Sequence, residues 1–463
     1  MISICSPSVC ANRRSFLRIG TLGLGGLALN QWLSTAAWAG LQDDVLTNKS
    51  VIFLFLHGGP SQTETFDPKM TAPPGIRSAT GELGTSIPGI TFGGTFPQLA
   101  RLAHKISVVR SFQTGDGNHD IKPIVSRASL NANLGSLYSR IAGTTDVRSG
   151  MPTNIAIFPQ AVDDSTQPAN NAFGSFASAG NLGSAYAPFV LGSGALQQDM
   201  RLQIAPDRLA SRRQLLAALD QGKRRLEAAA DGGVVDRFRQ QAFDTILGGI
   251  ADAFDLAQED PRTIARYDTA PLMRPDQISR KWNNYNNYVD NGKTLGKLLL
   301  LARRLCENGC RFVTVTTNFV WDMHADVNNA GVHEGMQYMG RPLDHALSVL
   351  IQDLEERGLQ DEILVVACGE MGRSPKINSN GGRDHWGGLA PLLLYGGGLP
   401  RGQVVGQSSR DAGEPATRPY GIEHLVATVM HSLVNVSKVR LVSSLPNDLL
   451  RIVTSSEPID ELS

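Results

Sequence analysis

The sequence predicts an α/β fold with a mainly parallel sheet and helices on both of its faces. Short apolar runs rich in branched side chains, such as Ser50–Leu56, Arg311–Thr316 and Ile363–Ala367, are typical of buried parallel strands. Between Arg311 and Leu433 such runs alternate with helical patterns, which is the order of elements in a parallel sheet. Polar side chains follow several of the runs directly, at the sheet edge where such folds bind ligands.

The individual elements follow from the spacing of apolar residues. The predicted strands are Ser50–Leu56, Ile106–Val109, Asn154–Phe158, Phe189–Leu191, Arg311–Thr316, Ile363–Ala367 and Leu392–Tyr395. The predicted helices are Phe96–His104, Thr294–Cys306, Leu343–Arg357 and Tyr420–Leu433. The stretch Asn283–Tyr288, rich in Asn and Tyr, is predicted to be a loop.

Residues 1–39 have the pattern of a twin-arginine (Tat) signal peptide. Arg13 and Arg14 precede a weakly hydrophobic, glycine-containing stretch, and Ala37-Trp38-Ala39 matches an A-x-A cleavage site. The sequence therefore predicts export to the periplasm or the cell exterior, with the Tat translocon as a partner during export.

Charge and length narrow the function classes. The sequence has 43 basic residues (Lys and Arg) and 43 acidic residues (Asp and Glu). It therefore has no excess of positive charge that would attract nucleic acid or an anionic membrane. After the signal, no stretch reaches the roughly 18 apolar residues that a stable membrane span needs. Residues 40–463 exceed a usual single core, which predicts one large domain with a helical insertion at about 206–291, or two domains.

Candidate metal ligands follow four predicted strands. They are His57; Asp116, His119 and Asp120; Asp322, His324 and His333; and Glu370, Asp384 and His385. Mixtures of His, Asp and Glu suit zinc, manganese or iron, and two such ions ~4 Å apart would clamp a phosphoryl or sulfuryl group. The alternative for each residue is structural: His385 as a packed loop histidine, and Glu370 paired with Arg373 or Arg383.

Three cysteines remain after the predicted cleavage. Cys306 and Cys310 are close enough in sequence to allow a disulfide without requiring one, and the odd number leaves at least one thiol free. Cys368 is predicted to be a small buried residue, although a redox role beside Glu370 is an alternative.

Several segments together resemble one bacterial family. They are LHGGPSQTETFDPK, FPQLARLAHKISVVRSF, VWDMHADV, LDHALSVLIQDLEERGL, GEMGRSPKIN and GRDHWGGLAPLLLYGGGLPRG. These segments resemble the DUF1501 family of Tat-exported proteins, which is similar to the alkaline phosphatase/sulfatase superfamily. The resemblance implies that residues 40–463 form an alkaline phosphatase/sulfatase-like sandwich. It also implies two metal positions beside a nucleophilic Ser, Thr or formylglycine.

The resemblance also implies a ligand set. Asp322, His324 and His385 would resemble the ligands of one metal, and Glu370 a ligand of the other, while His57 stands at the superfamily's first Asp position. With His119 and Asp384, these residues form the predicted metal site for zinc, manganese, magnesium or calcium. This sequence departs from the superfamily in having His57 instead of Asp, and Gly369-Glu370 instead of an Asp-His pair.

The catalytic candidates lie on the same loops. Ser111 and Thr114 follow a predicted strand and are candidate nucleophiles, although hydroxyls on polar loops are more often turn-formers. No Cys-x-Pro-x-Arg sulfatase signature follows Val109. Arg373 and Arg383 are predicted to hold the oxygens of an anionic substrate.

The sequence thus predicts an exported, metal-dependent hydrolase of phosphate or sulfate esters, acting on small molecules or glycans. The alternative is a non-catalytic binding or assembly protein of the cell envelope with the same fold. The missing Asp-His pair favours this alternative, and the clustering of ligand-type residues at strand ends favours the enzyme.

Overall fold

A computed structural model of the chain describes residues 44–146, 148–192, 250–443 and 445–463. The predicted signal peptide, residues 1–39, lies outside the described residues, as do residues 206–249 of the predicted insertion. Within the described ranges, no helix is both long and apolar enough to span a membrane.

The described strands are β1 Ser50–Phe55, β2 Glu82–Gly84, β3 Thr91–Gly93, β4 Ser107–Val109, β5 Asn154–Ile157, β6 Phe189–Leu191, β7 Phe312–Thr316, β8 Ile363–Cys368, β9 Gly372–Ile377, β10 Arg383–Trp386, β11 Leu392–Gly396 and β12 Val404–Val405. Eight of them form one sheet with the strand order β12-β4-β11-β8-β1-β7-β5-β6, while β2 pairs with β3 and β9 with β10. Strand β1 pairs in parallel with both β7 and β8, whereas β11 runs antiparallel to β8 and β4. The predicted α/β fold with a mainly parallel sheet is confirmed.

The helices cover both faces of the sheet, as predicted. They are α1 Pro97–Arg101, α2 Leu134–Ala142, α3 Ala251–Phe254, α4 Pro261–Tyr267, α5 Tyr285–Glu307, α6 Val332–Glu356, α7 Ile422–Leu433, α8 Val436–Val439 and α9 Asn447–Ser455. Side chains of β1 alternate between the two cores, because successive residues of a strand point to opposite faces. Ile52 and Leu54 pack in the core of α5 and α6, and Val51 and Phe53 in the core of α2 and α7.

Two predicted helix starts are wrong, and tertiary contacts explain both. Helix α5 begins at Tyr285, inside the stretch Asn283–Tyr288 that is predicted to be a loop. The backbone N–H groups of Asn283 and Asn284 donate hydrogen bonds to the carbonyls of Val327 and Asn328, and these bonds hold the start of the helix in place. Helix α6 begins at Val332, well before Leu343, and contains Pro342. Proline removes one helical hydrogen bond, but the apolar face of α6 is buried along its whole length.

The predicted insertion at about 206–291 enters the described structure only at its end. Residues 250–291 contain α3, α4 and the first turns of α5. These elements lie on the core of α5 and α6, with Phe254 and Tyr267 buried there.

The sheet brings the carboxyl ends of β1, β4, β7 and β8 to one edge. Strands β1, β7 and β8 are mutually parallel, and β4 shares their direction because β11 is antiparallel to both β4 and β8. The β9–β10 hairpin, inserted between β8 and β11, places His385 opposite Arg373. All the segments that bear the candidate ligands therefore leave the sheet at this edge.

Candidate metal centre

Asp322 lies at the centre of a cluster of histidines. Its Oδ1 atom is 2.9 Å from Nε2 of His324, 3.2 Å from Nε2 of His385 and 3.5 Å from Nε2 of His119. Arg373 donates to the same oxygen over 2.6 Å, and Asn329 donates to Oδ2 over 3.3 Å. Only 7% of Asp322 is exposed, so this carboxylate is bound almost entirely by protein groups.

The end of β1 positions Asp322. The backbone N–H groups of Val320 and Trp321 both donate to the carbonyl of His57, which fixes the segment after β7 against the first strand. A Cβ atom on Gly58 would lie 2.6 Å from the backbone nitrogen of Asp322, and its φ of +114° also favours glycine. The glycine after His57 is therefore required for the close approach of these two segments.

Glu370 holds His119 from the opposite side. Its Oε1 lies 2.9 Å from Nδ1 of His119 and accepts a 2.9 Å hydrogen bond from the backbone N–H of Gly58. Glu370 is fully buried, and its Oε2 has no hydrogen-bond partner in the described structure. A carboxylate that binds the second nitrogen of a histidine fixes the ring orientation, as in many metal sites.

His57 is buried among aromatic rings beside this cluster. Its ring centroid lies 5.0 Å from that of Phe319 and 5.6 Å from those of Phe55 and Phe176. Its Nε2 also has no hydrogen-bond partner among the described residues. Burial lowers the pKa of His57, which keeps the imidazole neutral and its nitrogen lone pair available at neutral pH.

The cluster shifts two further pKa values in opposite directions. Burial alone raises the pKa of Asp322, but hydrogen bonds from His119, His324 and His385 and the charge of Arg373 outweigh burial and hold it far below its usual value. Burial alone lowers the pKa of His119, but its contacts with Asp322 and Glu370 raise the net value above 6.5. Asp322 is therefore ionised, and the surroundings of His119 favour a positive charge.

Three of these residues have the arrangement of a metal site. One ligand atom each from His119, Asp322 and His385 lies within 4.8 Å of the other two. Two imidazoles and a carboxylate suit zinc, manganese or iron. The unpartnered Oε2 of Glu370 and Nε2 of His57 are two more buried ligand-type atoms nearby, and buried polar atoms without partners are rare in proteins. The residues present therefore fit a divalent ion.

The other predicted ligands lie beside this group. His324 is 2.9 Å from Asp322, as above, and its Nδ1 is 3.3 Å from Oδ1 of Asp384. The side chain of Asp384 is largely exposed and also accepts a hydrogen bond from Asn378. His333 is exposed near the start of α6 and does not belong to the group of three ligands.

The two arginines are buried and already paired. Arg373 donates to the carbonyls of Gly58 and Gly59 in addition to Asp322. Arg383 is paired with the buried carboxylate of Glu64 at 2.8 Å. The alternative in which Glu370 pairs with either arginine is therefore wrong, since Glu370 binds His119 instead.

The candidate nucleophiles lie apart from the cluster. Ser111 and Thr114 are buried, and neither hydroxyl oxygen has a hydrogen-bond partner in the described structure. Their backbones join neighbouring loops: the Ser111 carbonyl accepts from Tyr420, and Thr114 donates to Gly387. Across the described ranges, no Ser or Thr hydroxyl forms a hydrogen bond with a side chain of the cluster.

The cysteines are free and buried. Burial raises the pKa of Cys310 to about 12 and that of Cys368 well above its usual range, so neither thiol ionises near neutral pH. The prediction that Cys368 is a small buried residue agrees with this environment, and a redox role does not.

Several residues of the site were not predicted from the sequence. Asn329 contacts Asp322, Glu64 binds Arg383, and Phe173 and Phe319 pack against the ring of His119. Asn329 follows Asp322 closely enough that a search for polar residues near the ligands would have found it. The others come from distant segments without a distinguishing pattern.

Comparison with sequence families agrees with this organisation. The profile of DUF1501, described as "Protein of unknown function (DUF1501)", matches residues 48–463. The chain belongs to the DUF1501 family. The match includes all the described strands and all the candidate metal ligands of this DUF1501 protein. No curated protein matches its sequence.

Solved structures with a similar course of the chain are distant. A sulfatase from Pseudoalteromonas sp. is 11% identical, with 88% of this chain and 72% of that chain covered and a TM-score of 0.35. A phosphonate monoester hydrolase from Silicibacter pomeroyi is 11% identical, with 89% and 78% covered and a TM-score of 0.34. A lipoteichoic acid synthase from Listeria monocytogenes is 9% identical, with 92% and 79% covered and a TM-score of 0.31.

Proposed function

We propose that this DUF1501 protein is an exported, metal-dependent hydrolase of phosphate or sulfate esters. The observation that carries the proposal is the group of His119, Asp322 and His385, whose ligand atoms lie within 4.8 Å of one another. The group lies at the carboxyl edge of the parallel strands, where α/β enzymes place their active sites. A divalent ion bound there supplies Lewis-acid polarisation of the ester oxygens.

The surrounding residues have distinct roles in this proposal. Glu370 fixes the orientation of His119, and Arg373 holds Asp322 in place and balances its charge. The side chain of His385 is 34% exposed, the largest value in the group of three, so the substrate approaches from its side. Arg383 is bound to Glu64 and is assigned to the fold rather than to the substrate.

Water is the acceptor that the geometry favours. Ser111 and Thr114 are buried and form no hydrogen bond with the cluster, so neither has an activating base in contact. In the proposed reaction, the oxygen of a water molecule bonds to the phosphorus or sulfur atom while the bond to the ester oxygen breaks, and the proton that the water loses ends on the oxygen of the departing alcohol. Ser111→Ala and Thr114→Ala are expected to keep the activity within about twofold, because a buried hydroxyl without partners contributes little.

The central experiment combines elemental analysis with an ester assay. The purified wild type is expected to contain a transition metal and to hydrolyse aryl phosphates or sulfates in the presence of Mn²⁺ or Zn²⁺. His385→Ala and Asp322→Ala are expected to lose both the metal and the activity. His333→Ala removes an exposed histidine outside the group and is the matched control.

The outcomes separate the proposal from its rival. Metal retained by both ligand variants would refute the assignment of the site. The rival is a binding or assembly protein of the cell envelope, favoured by the absence of a hydroxyl in contact with the described cluster. A metal-containing wild type without activity on any ester tested would support that rival.

Export is tested separately from the metal site. Replacing Arg13 and Arg14 by lysine is expected to stop export through the twin-arginine route and leave the protein in the cytoplasm. Unchanged export of this variant would contradict the proposed signal.

A further inference from the structure

Several segments of the site also carry an exposed apolar residue. In the described part of the chain, the large hydrophobic residues that are exposed are Phe173, Val327, Trp386 and Leu441. Three of them belong to segments that reach the cluster: Phe173 packs on His119, Val327 follows His324, and Trp386 follows His385. Exposed apolar groups beside a polar site are typical of ligand-binding sites.

Phe173 is in direct contact with the site. It is 36% exposed, and its ring centroid lies 5.0 Å from that of His119. The ring also lies 4.8 Å from the buried ring of Phe319, with an angle of 32° between the planes, and Phe319 itself contacts His119. Phe173 is therefore packed against two rings of the site, while more than a third of it is open to solvent.

The segment that carries Phe173 is fixed in place. Residues 158–188 join β5 to β6 with only short turns of 3₁₀ helix, and such long connections are usually functional. Three residues after Phe173, the ring of Phe176 is buried 5.4 Å from Phe55 and 5.6 Å from His57. Asn133 also donates a hydrogen bond of 3.0 Å to the carbonyl of Phe176.

We propose that Phe173 is a specificity-determining residue, which selects esters whose alcohol portion has a flat apolar face next to the ester oxygen. The inference rests on the proposed function, in which the cluster takes the anionic ester group. An aromatic ring that is held in place beside the ester group stacks on a flat apolar surface and so contributes to binding. A small alkyl group has no such surface, so the ring does not contribute to its binding. Aryl groups and pyranose rings both have such a face.

The test compares three phosphate esters, which are phenyl phosphate, glucose 1-phosphate and methyl phosphate. Phenyl sulfate and methyl sulfate are measured in the same way. Phe173→Ala is expected to raise KM for the phenyl ester, the glucose ester or both by about three- to tenfold, the range for an aromatic contact. KM for the methyl ester should not change. Phe173→Tyr should restore the wild-type values, and Leu441→Ala is the matched exposed control.

The pattern of KM values identifies the substrate. A change confined to phenyl esters assigns an aryl group, and a change confined to glucose 1-phosphate assigns a sugar. Equal KM changes for all esters, or no change for any, would overturn the inference even if every ester is hydrolysed.

A binding measurement separates this inference from the proposed function. Calorimetry with phenylphosphonate and methylphosphonate, on protein supplied with Mn²⁺, requires no hydrolysis. One outcome is that no ester is cleaved, that the wild type binds phenylphosphonate more tightly than methylphosphonate, and that Phe173→Ala loses this preference. In that case the specificity role stands and the hydrolase proposal fails. If neither phosphonate binds and no ester is cleaved, both fail.

Discussion

The buried Glu64–Arg383 pair is the sharpest test of whether Arg383 serves the fold or the substrate. Both side chains are fully buried, and Glu64 also accepts hydrogen bonds from Ser78 Oγ at 2.7 Å and from the backbone N–H of Ala79. Glu64→Ala would leave the guanidinium buried without its counter-charge, which costs about 3–5 kcal/mol in comparable pairs. Because the Ser78 and Ala79 donors also lose their acceptor, we expect a loss near the upper end of that range.

Urea denaturation of Glu64→Ala, Arg383→Met and the double variant measures this cost. The double variant is expected to be more stable than the sum of the single losses predicts, because neither charge is then left alone. Glu82→Ala removes an exposed carboxylate and should change the free energy of unfolding by at most about 0.5 kcal/mol. The reasoning is refuted if Arg383→Met leaves the free energy of unfolding within about 1 kcal/mol of wild type while abolishing ester hydrolysis, since Arg383 would then act on the substrate.

Three further predictions follow from other parts of the structure. Burial raises the pKa of Asp344 from 3.8 to about 6, so between these pH values the folded protein binds more protons than the unfolded chain. The free energy of unfolding should therefore fall by up to about 3 kcal/mol as the pH rises from 4 to 6. Urea titrations over that range should show a flatter profile for Asp344→Asn, and identical profiles would contradict this assignment. Gly58→Ala should lose metal in elemental analysis, because the new Cβ would displace the backbone of Asp322. Gly81→Ala is the control, since its Cβ would meet no neighbouring atom. Metal retained in Gly58→Ala would disprove this close contact. The buried thiols of Cys306, Cys310 and Cys368 should react with a thiol reagent only after unfolding, and rapid labelling of the native protein would contradict their burial.

The sequence predicts the sheet well because its strands are short, apolar and bounded by polar loops. Strands β1 and β8 were predicted to within one residue at their carboxyl ends, and this placed His57 and Glu370 at the correct edge. Helix α6 was predicted too short because Pro342 normally marks a helix boundary. Its burial in the long helix depends on contacts that local patterns do not contain.

The arrangement within the site was less predictable because each contact joins distant parts of the chain. Glu370 binds His119 across more than two hundred residues, and no local pattern indicates this contact. Phe173 had no signal at all, since an isolated phenylalanine in a polar stretch looks like any other exposed apolar residue. Candidate ligands could thus be located from strand ends, whereas the partners of each side chain required the folded chain.

The charges of the cluster explain why a cation belongs in it. Asp322 and Glu370 are both buried, and among the described contacts the Arg373 guanidinium is the permanent positive charge that touches either of them. One negative charge is left uncompensated, and the raised pKa of His119, which contacts both carboxylates, is the consequence. Two cations can meet this demand: a proton on His119, or a divalent ion bound by His119, Asp322 and His385. Because a metal needs the neutral imidazole, the two compete, and metal binding must release the proton. With the proton the cluster would be neutral, whereas a divalent ion in its place would leave it net positive, which would favour the anionic ester of the proposed function.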